Sequence, residues 1–245
     1  MKSYREYSGH SVSMSEDAQF NQTLQTLFAE NQIDYIIESG TYLGTGSTRS
    51  VLKAIPANRP PKAYYTLEAN PTFHLISRFN LMRWPFVKPI WGNTIPREKA
   101  LSFIEQDEVL RHHERYPDVF IDTLVNPVEF YTNEIKGHWN GNIILKTVGW
   151  LSDHLLTRPE NLLEKLLREV IDQQPLILLD SAGGTGWLEY QTVRDVMGKK
   201  PYWLILDDIH HLKHFRSFAD VQHRPDFRLV AHSLPDGWMV AEHLA

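Results

Sequence analysis

Four short apolar runs in this chain each end on an acid. They are residues 33–37 ahead of Glu38, 63–67 ahead of Glu68, Leu176–Leu179 ahead of Asp180, and Tyr202–Leu206 ahead of Asp207-Asp208. An unbroken apolar run belongs to a strand buried on both faces, whereas a half-exposed strand alternates. Segments of helical spacing separate the runs. Strands joined through helices run parallel, and the helices cover both faces of the sheet. A further run, 86–91, ends in Gly92-Asn93-Thr94. The chain closes with two β-rich stretches, Phe227–Ser233 and 238–242, around a Pro235-Asp236-Gly237 turn, which is a hairpin signal. The expectation is an α/β fold over residues 1–245: a doubly wound, mostly parallel seven-stranded sheet with a C-terminal antiparallel hairpin. In such a sheet the acidic strand ends share the carboxyl edge, where open α/β sheets bind ligands.

The helical spacing predicts helices over 15–32 (Ser15 as N-cap; Phe20, Leu24, Leu27 and Phe28 on one face), 47–55, Pro71–Leu81, after Pro96, over 161–172 and from Trp187. A His-rich helix is expected directly after Asp208. Residues 111–158 are rich in Trp, Tyr and Phe without sustained periodicity. They read as an insertion, suited to a substrate lid, a secondary core or a dimer surface.

Composition removes several classes. With 42% hydrophobic and 22% charged residues the chain is globular. Its 25 Lys+Arg against 30 Asp+Glu give a formal charge of −5, which disfavours a nucleic-acid partner. The absence of cysteine excludes disulfides, thiolate metal sites and a cysteine nucleophile. The first twenty residues lack the apolar core of a signal peptide, and no run is long enough to span a membrane. A cytoplasmic protein without a membrane partner, open to homo-oligomerisation, is expected.

The first candidate site runs from Glu38 to Ser47, through Gly40, Thr41, Gly44 and Gly46. Glycines let backbone approach a ligand, and the following helix N-terminus offers free N–H groups. A phosphate-binding P-loop needs a lysine after its last glycine, and Ser47 stands there. A dinucleotide fingerprint needs G-x-G-x-x-G/A, and Arg49 takes the third small position. S-adenosylmethionine suits these residues better, because it has no phosphate to repel Glu38 and its ribose hydroxyls can donate to Glu68. The plainer alternative is a tight strand-to-helix turn beside a solvated acid.

Asp180 and Asp207-Asp208 form the second candidate site. Carboxylates gathered in one cleft repel unless a cation neutralises them, and three acids without cysteine suit a hard ion: Mg²⁺ first, Ca²⁺ or Mn²⁺ otherwise. The alternative is that these acids cap the following helices. His210, His211 and His214 follow, and a histidine there titrates near neutrality. His211 is taken as the candidate base, with the polar helix start as its alternative.

The turn Glu38-x-Gly40-x-x-x-Gly44-x-x-Ser47-Thr48 together with Glu68 resembles class I, Rossmann-like, SAM-dependent methyltransferases. It is most similar to the bacterial small-molecule O-methyltransferases of the macrolide-, aminocoumarin- and cephalosporin-tailoring type. The resemblance covers most of 33–243 in element order and leaves 111–158 unmatched. It implies cofactor contacts at Glu38, Gly40, Thr41, Gly44, Ser47, Glu68 and Asn93, the last towards adenine. It further implies a divalent metal, Mg²⁺, on Asp180, Asp207 and Asp208. Metal-assisted O-methylation of a small hydroxylated molecule would follow, with a chelating diol favoured and Asp180 and His211 at the reacting centre. This sequence departs from relatives that carry an acid or His shortly after the fourth-strand Asp, since Ser181-Ala182-Gly183-Gly184 follows here. An NAD-dependent oxidoreductase and a non-catalytic SAM-binding module are the competing readings.

Overall fold

The computed structural model describes residues 14–137, 158–182 and 184–245. Seven strands form one sheet: β1 (Tyr35–Ser39), β2 (Ala63–Glu68), β3 (Val87–Trp91), β4 (Leu176–Leu179), β5 (Tyr202–Leu206), β6 (Phe227–Ser233) and β7 (Trp238–His243). Their order is β3-β2-β1-β4-β5-β7-β6. The first five are parallel, and β7 inserts antiparallel between β5 and β6. The Rossmann-like, doubly wound sheet with its terminal hairpin is therefore present. The order reverses between β1 and β4, so the helices leaving these two strands diverge and open a crevice at their carboxyl ends.

Successive residues of each central strand face opposite layers. Ile36, Leu178, Ile205 and Val240 pack with Phe20, Leu24 and Leu27 of α1 (Ala18–Glu30) and with Val51 of α2 (Ser47–Ala54). Ile37, Leu179, Leu204 and Met239 pack on the other face with Leu163, Leu166 and Leu167 of α7 (Leu162–Glu169), Val193 of α8 (Gly186–Met197) and Phe218 of α9 (Phe215–His223). Two buried faces are what the unbroken apolar runs require. Helix α3 (Pro71–Leu81) has the predicted bounds, with Asn70 Oδ1 accepting from the Thr72 and Phe73 amides.

A third, smaller core lies beside the sheet. Ile104 of α4 (Arg97–Gln106), Val109 and Leu110 of α5 (Glu108–Arg111), Ile121, Tyr131 of α6 (Pro127–Ile135) and Leu212 compose it. The start of the 111–158 insertion thus carries its own apolar centre. Trp139 and Trp150 lie outside the described residues.

Three boundaries depart from the sequence reading. The N-cap of α1 is Asp17, not Ser15: its carboxylate takes the Phe20 amide at 2.8 Å and the Trp238 indole N–H at 3.0 Å. Strand β1 continues through Glu38 to Ser39, paired on both sides. Finally, residues 209–214 form turns, and the helix starts only at Phe215. Asp208 adopts φ +53°, which sends the chain off the helical path. Phe120 then takes backbone groups from this segment, its N–H donating to the His210 carbonyl at 2.9 Å while its carbonyl accepts from the Leu212 amide at 2.9 Å. His210, His211 and His214 therefore lie ahead of the helix, not on it.

Candidate active site

An open cleft of about 930 Å³, including the solvent at its mouth, lies along the carboxyl edge at the strand reversal. Gly40, Glu68, Asn93 and Asp180 line it, joined by Tyr42, Phe73, Arg158 and Thr185. Glu38, Thr41, Gly44 and Ser47 do not. Their side chains and backbone support the turn from behind.

Glu38 explains why. It is fully buried, and its carboxyl accepts from Ser47 Oγ at 2.7 Å, Thr48 Oγ1 at 3.1 Å and Tyr64 OH at 2.6 Å. A carboxyl inside a parallel strand needs partners, and the first turn of α2 supplies two of them. Burial pushes its pKa up to about 7 against those hydrogen bonds, and the nearby Asp180 charge adds to the rise. Thr41 spends its hydroxyl on the Leu67 carbonyl at 3.1 Å. Gly40 is obligatory for steric reasons: at φ +83° a β-carbon would stand 2.2 Å from the Asp180 carbonyl oxygen.

Glu68 closes β2 on the cleft wall. Its carboxylate receives the Tyr42 and Asn70 amides, both at 2.7 Å. These two bonds fix both oxygens, each of which retains capacity to accept from a ligand. Burial raises its pKa to about 7, with the backbone amides and the Arg158 charge opposing. Tyr42, 55% exposed, meets Phe73 edge to face at 4.5 Å and forms an aromatic rim. Across the cleft, Asn93 donates its amide to the Pro159 carbonyl at 2.8 Å, and Arg158 approaches its side-chain oxygen at 3.4 Å.

Asp180, Asp207 and Asp208 do converge, each offering an oxygen within 4.8 Å of the others. In charge and geometry they are a donor set for a hard cation. A cation of the chain itself is already there. Lys213 Nζ lies 2.9 Å from Asp180 Oδ1 and 2.9 Å from Asp208 Oδ2, with its side chain only 8% exposed. Burial works against that ammonium, but Asp180, Asp208 and Asp207 prevail and raise its pKa well above the ordinary lysine value. Asp207, buried beside two other acids, is pushed the opposite way from a normal carboxylate, well upward. Asp208 is held low: burial opposes, and Lys213 wins. The ammonium thus occupies two of the three carboxylates on which Mg²⁺ was expected.

His211 sits beside this cluster, not in the cleft. Its Nδ1 accepts the Lys213 amide at 3.2 Å, and its Nε2 faces Asp122 Oδ2 at 3.1 Å and Tyr131 OH at 3.3 Å. Nδ1 is thus occupied within the turn and Nε2 in tying the insertion to it, which leaves neither directed at the cleft. His214 is fully buried against Gly186, where a β-carbon would come within 2.5 Å of the imidazole.

Sequence reasoning missed Lys213, Asp122, Tyr131 and Arg158. Nothing in His210-His211-Leu212-Lys213-His214 marks the lysine, whose partners are known only once the turn is placed. It also missed Glu189, buried in the first turn of α8, where it accepts from Ser39 Oγ at 2.9 Å and from Thr94 Oγ1. That carboxyl braces β1 against the loop after β3.

No family profile and no curated protein matches the chain. Solved structures do resemble it. A methyltransferase from Geobacter sulfurreducens is 11% identical, covering 99% of this chain and 84% of that one, with a TM-score of 0.50. An O-methyltransferase from Bacillus cereus, in complex with SAH, is 13% identical over 98% of this chain and 87% of that chain, at a TM-score of 0.48. The O-methyltransferase TomG from Streptomyces achromogenes, involved in tomaymycin synthesis and solved with SAM, is 14% identical over 99% and 86%, at 0.47. At such identities the likeness is one of fold.

Proposed function

We propose, from a fold shared with class I methyltransferases, that this chain binds S-adenosylmethionine and O-methylates a small hydroxylated molecule. The observation that carries the reading is Glu68: a buried strand-end carboxylate, fixed by two backbone amides, on the wall of a cleft at the strand reversal. Two fixed acceptor oxygens match the two hydroxyls of a ribose. A phosphate-bearing dinucleotide would bring its anion to the N-terminus of α2, over a turn that lacks the third small residue.

S-Adenosylmethionine supplies a methyl group already activated on a sulfonium. The protein's task is to hold donor and acceptor in line and to take a proton. Glu68 holds the ribose end, Asn93 borders the adenine end, and the Tyr42–Phe73 rim limits solvent. Glu134 and Ile135 of α6 reach the same cleft, which supports a substrate-wall role for the insertion. Asp180, on the cleft wall and held by Lys213, is the carboxylate placed to receive the acceptor's proton.

Isothermal titration of SAM and SAH, in Mg²⁺ and in EDTA, tests the cofactor, with NADH as control. Micromolar SAH binding in both buffers, weakened about tenfold or more by Glu68→Ala, is the expected result. Absence of SAM and SAH binding would end the methyltransferase reading, and NADH binding would replace it with the oxidoreductase.

A further inference from the structure

We propose that Lys213 is the resident cation of the acidic cluster, and that this site excludes divalent metal. The inference rests on the methyltransferase reading only for its catalytic meaning. Its physical content concerns Asp180, Asp207, Asp208 and Lys213 alone.

A surface lysine beside acids would be an ordinary salt bridge, free to swing aside for a better cation. Lys213 is built in. Its ammonium is desolvated and divides itself between Asp180 and Asp208 at 2.9 Å each. Its backbone is clamped from several directions. The Lys213 amide donates to His211 Nδ1, His211 is held in turn by Asp122, and Phe120 brackets the segment through His210 and Leu212. On the opposite side Gly186 makes room for it, because a β-carbon there would lie 2.7 Å from the Lys213 carbonyl oxygen. Asp208, in the left-handed region at φ +53°, turns its carboxylate to the same ammonium. A metal would compete for carboxylates that already hold a largely buried positive charge, and would face that charge at short range.

The positive charge of this cluster is covalently part of the chain, and it meets the cleft only through Asp180.

Mn²⁺ titration followed by electron paramagnetic resonance tests this on the cofactor-free protein, so its result is independent of SAM binding. Wild type is expected to leave the free Mn²⁺ signal unchanged. Lys213→Met, which keeps the stem and removes the charge, should bind one Mn²⁺ at least about tenfold more tightly than wild type, and adding Asp208→Asn should abolish that gain. Lys213→Arg should exclude the metal as wild type does. Stoichiometric Mn²⁺ binding by wild type, lost on Asp208→Asn, would overturn the proposal, and this measurement stands even where the methionine variant fails to fold. A folded Lys213→Met protein that gains no Mn²⁺ would also overturn it.

Discussion

Among the described residues Glu38 is the one fully buried acid inside a central strand, and Glu38→Gln isolates what its ionisation costs. Its pKa stands at about 7 in the fold against an ordinary 4.5, because burial outweighs the three hydroxyl donors around it. For an acid raised in this way, the folded state holds the proton more tightly than the unfolded chain. Its contribution is therefore fully present below the unfolded value and is lost as pH rises through the folded one. Each pKa unit is worth about 1.36 kcal/mol, so the whole shift is about 3 kcal/mol, of which about 2.5 kcal/mol falls between roughly pH 5 and pH 8. Glutamine keeps the shape and does not titrate. Ser47, Thr48 and Tyr64 are hydroxyls that can turn to accept from its amide, leaving a pH-independent penalty of about 1 kcal/mol. Urea unfolding of both proteins at several pH values should show the variant gaining about 2.5 kcal/mol on wild type across that range, at unchanged m-value. Glu68, raised by the same mechanism, is common to both proteins and cancels in the difference. A difference that stays constant with pH would mean that Glu38 remains ionised throughout, and that hydroxyl donors outweigh burial there.

Two further substitutions probe the supports of the cleft. Gly40→Ala forces a β-carbon onto the Asp180 backbone at a positive φ and should cost about 2–5 kcal/mol in urea unfolding, whereas a loss under about 0.5 kcal/mol would refute the close approach of β1 and β4. Asp122→Ala removes the acceptor shared by His211 and by the Tyr131 hydroxyl, which donates to it at 2.8 Å, and should cost about 1–3 kcal/mol locally. Hydrogen exchange would then accelerate at the Phe120 and Leu212 amides while the β4 and β5 amides hold, and a uniform change would argue against a separately tethered insertion.

The central strands were legible because their apolar residues run nearly without interruption, and continuity is the signature of burial on both faces. Leu176–Leu179 and Tyr202–Leu206 were readable to the residue for that reason. The acid at the end of a run was less informative. Glu38 and Glu68 look alike in sequence, yet one extends the strand into the core and the other faces the cleft, a difference decided by Ser47, Thr48 and Tyr64 arriving from elsewhere. Asp180, Asp207 and Asp208 were correctly brought together, but Lys213 among them was not foreseen. Residues 209–214 failed as a helix because Phe120, some ninety positions earlier, captures their backbone groups. Local spacing carries no trace of such a partner.

The placement of β7 between β5 and β6 has a temporal side. Until Trp238–His243 are made, Tyr202–Leu206 is an open edge of apolar residues offering unpaired backbone groups, the kind of surface that recruits other chains. That edge is covered only when β7 reaches its slot between β5 and β6, so a chain in which β7 is displaced presents Tyr202–Leu206 to other chains.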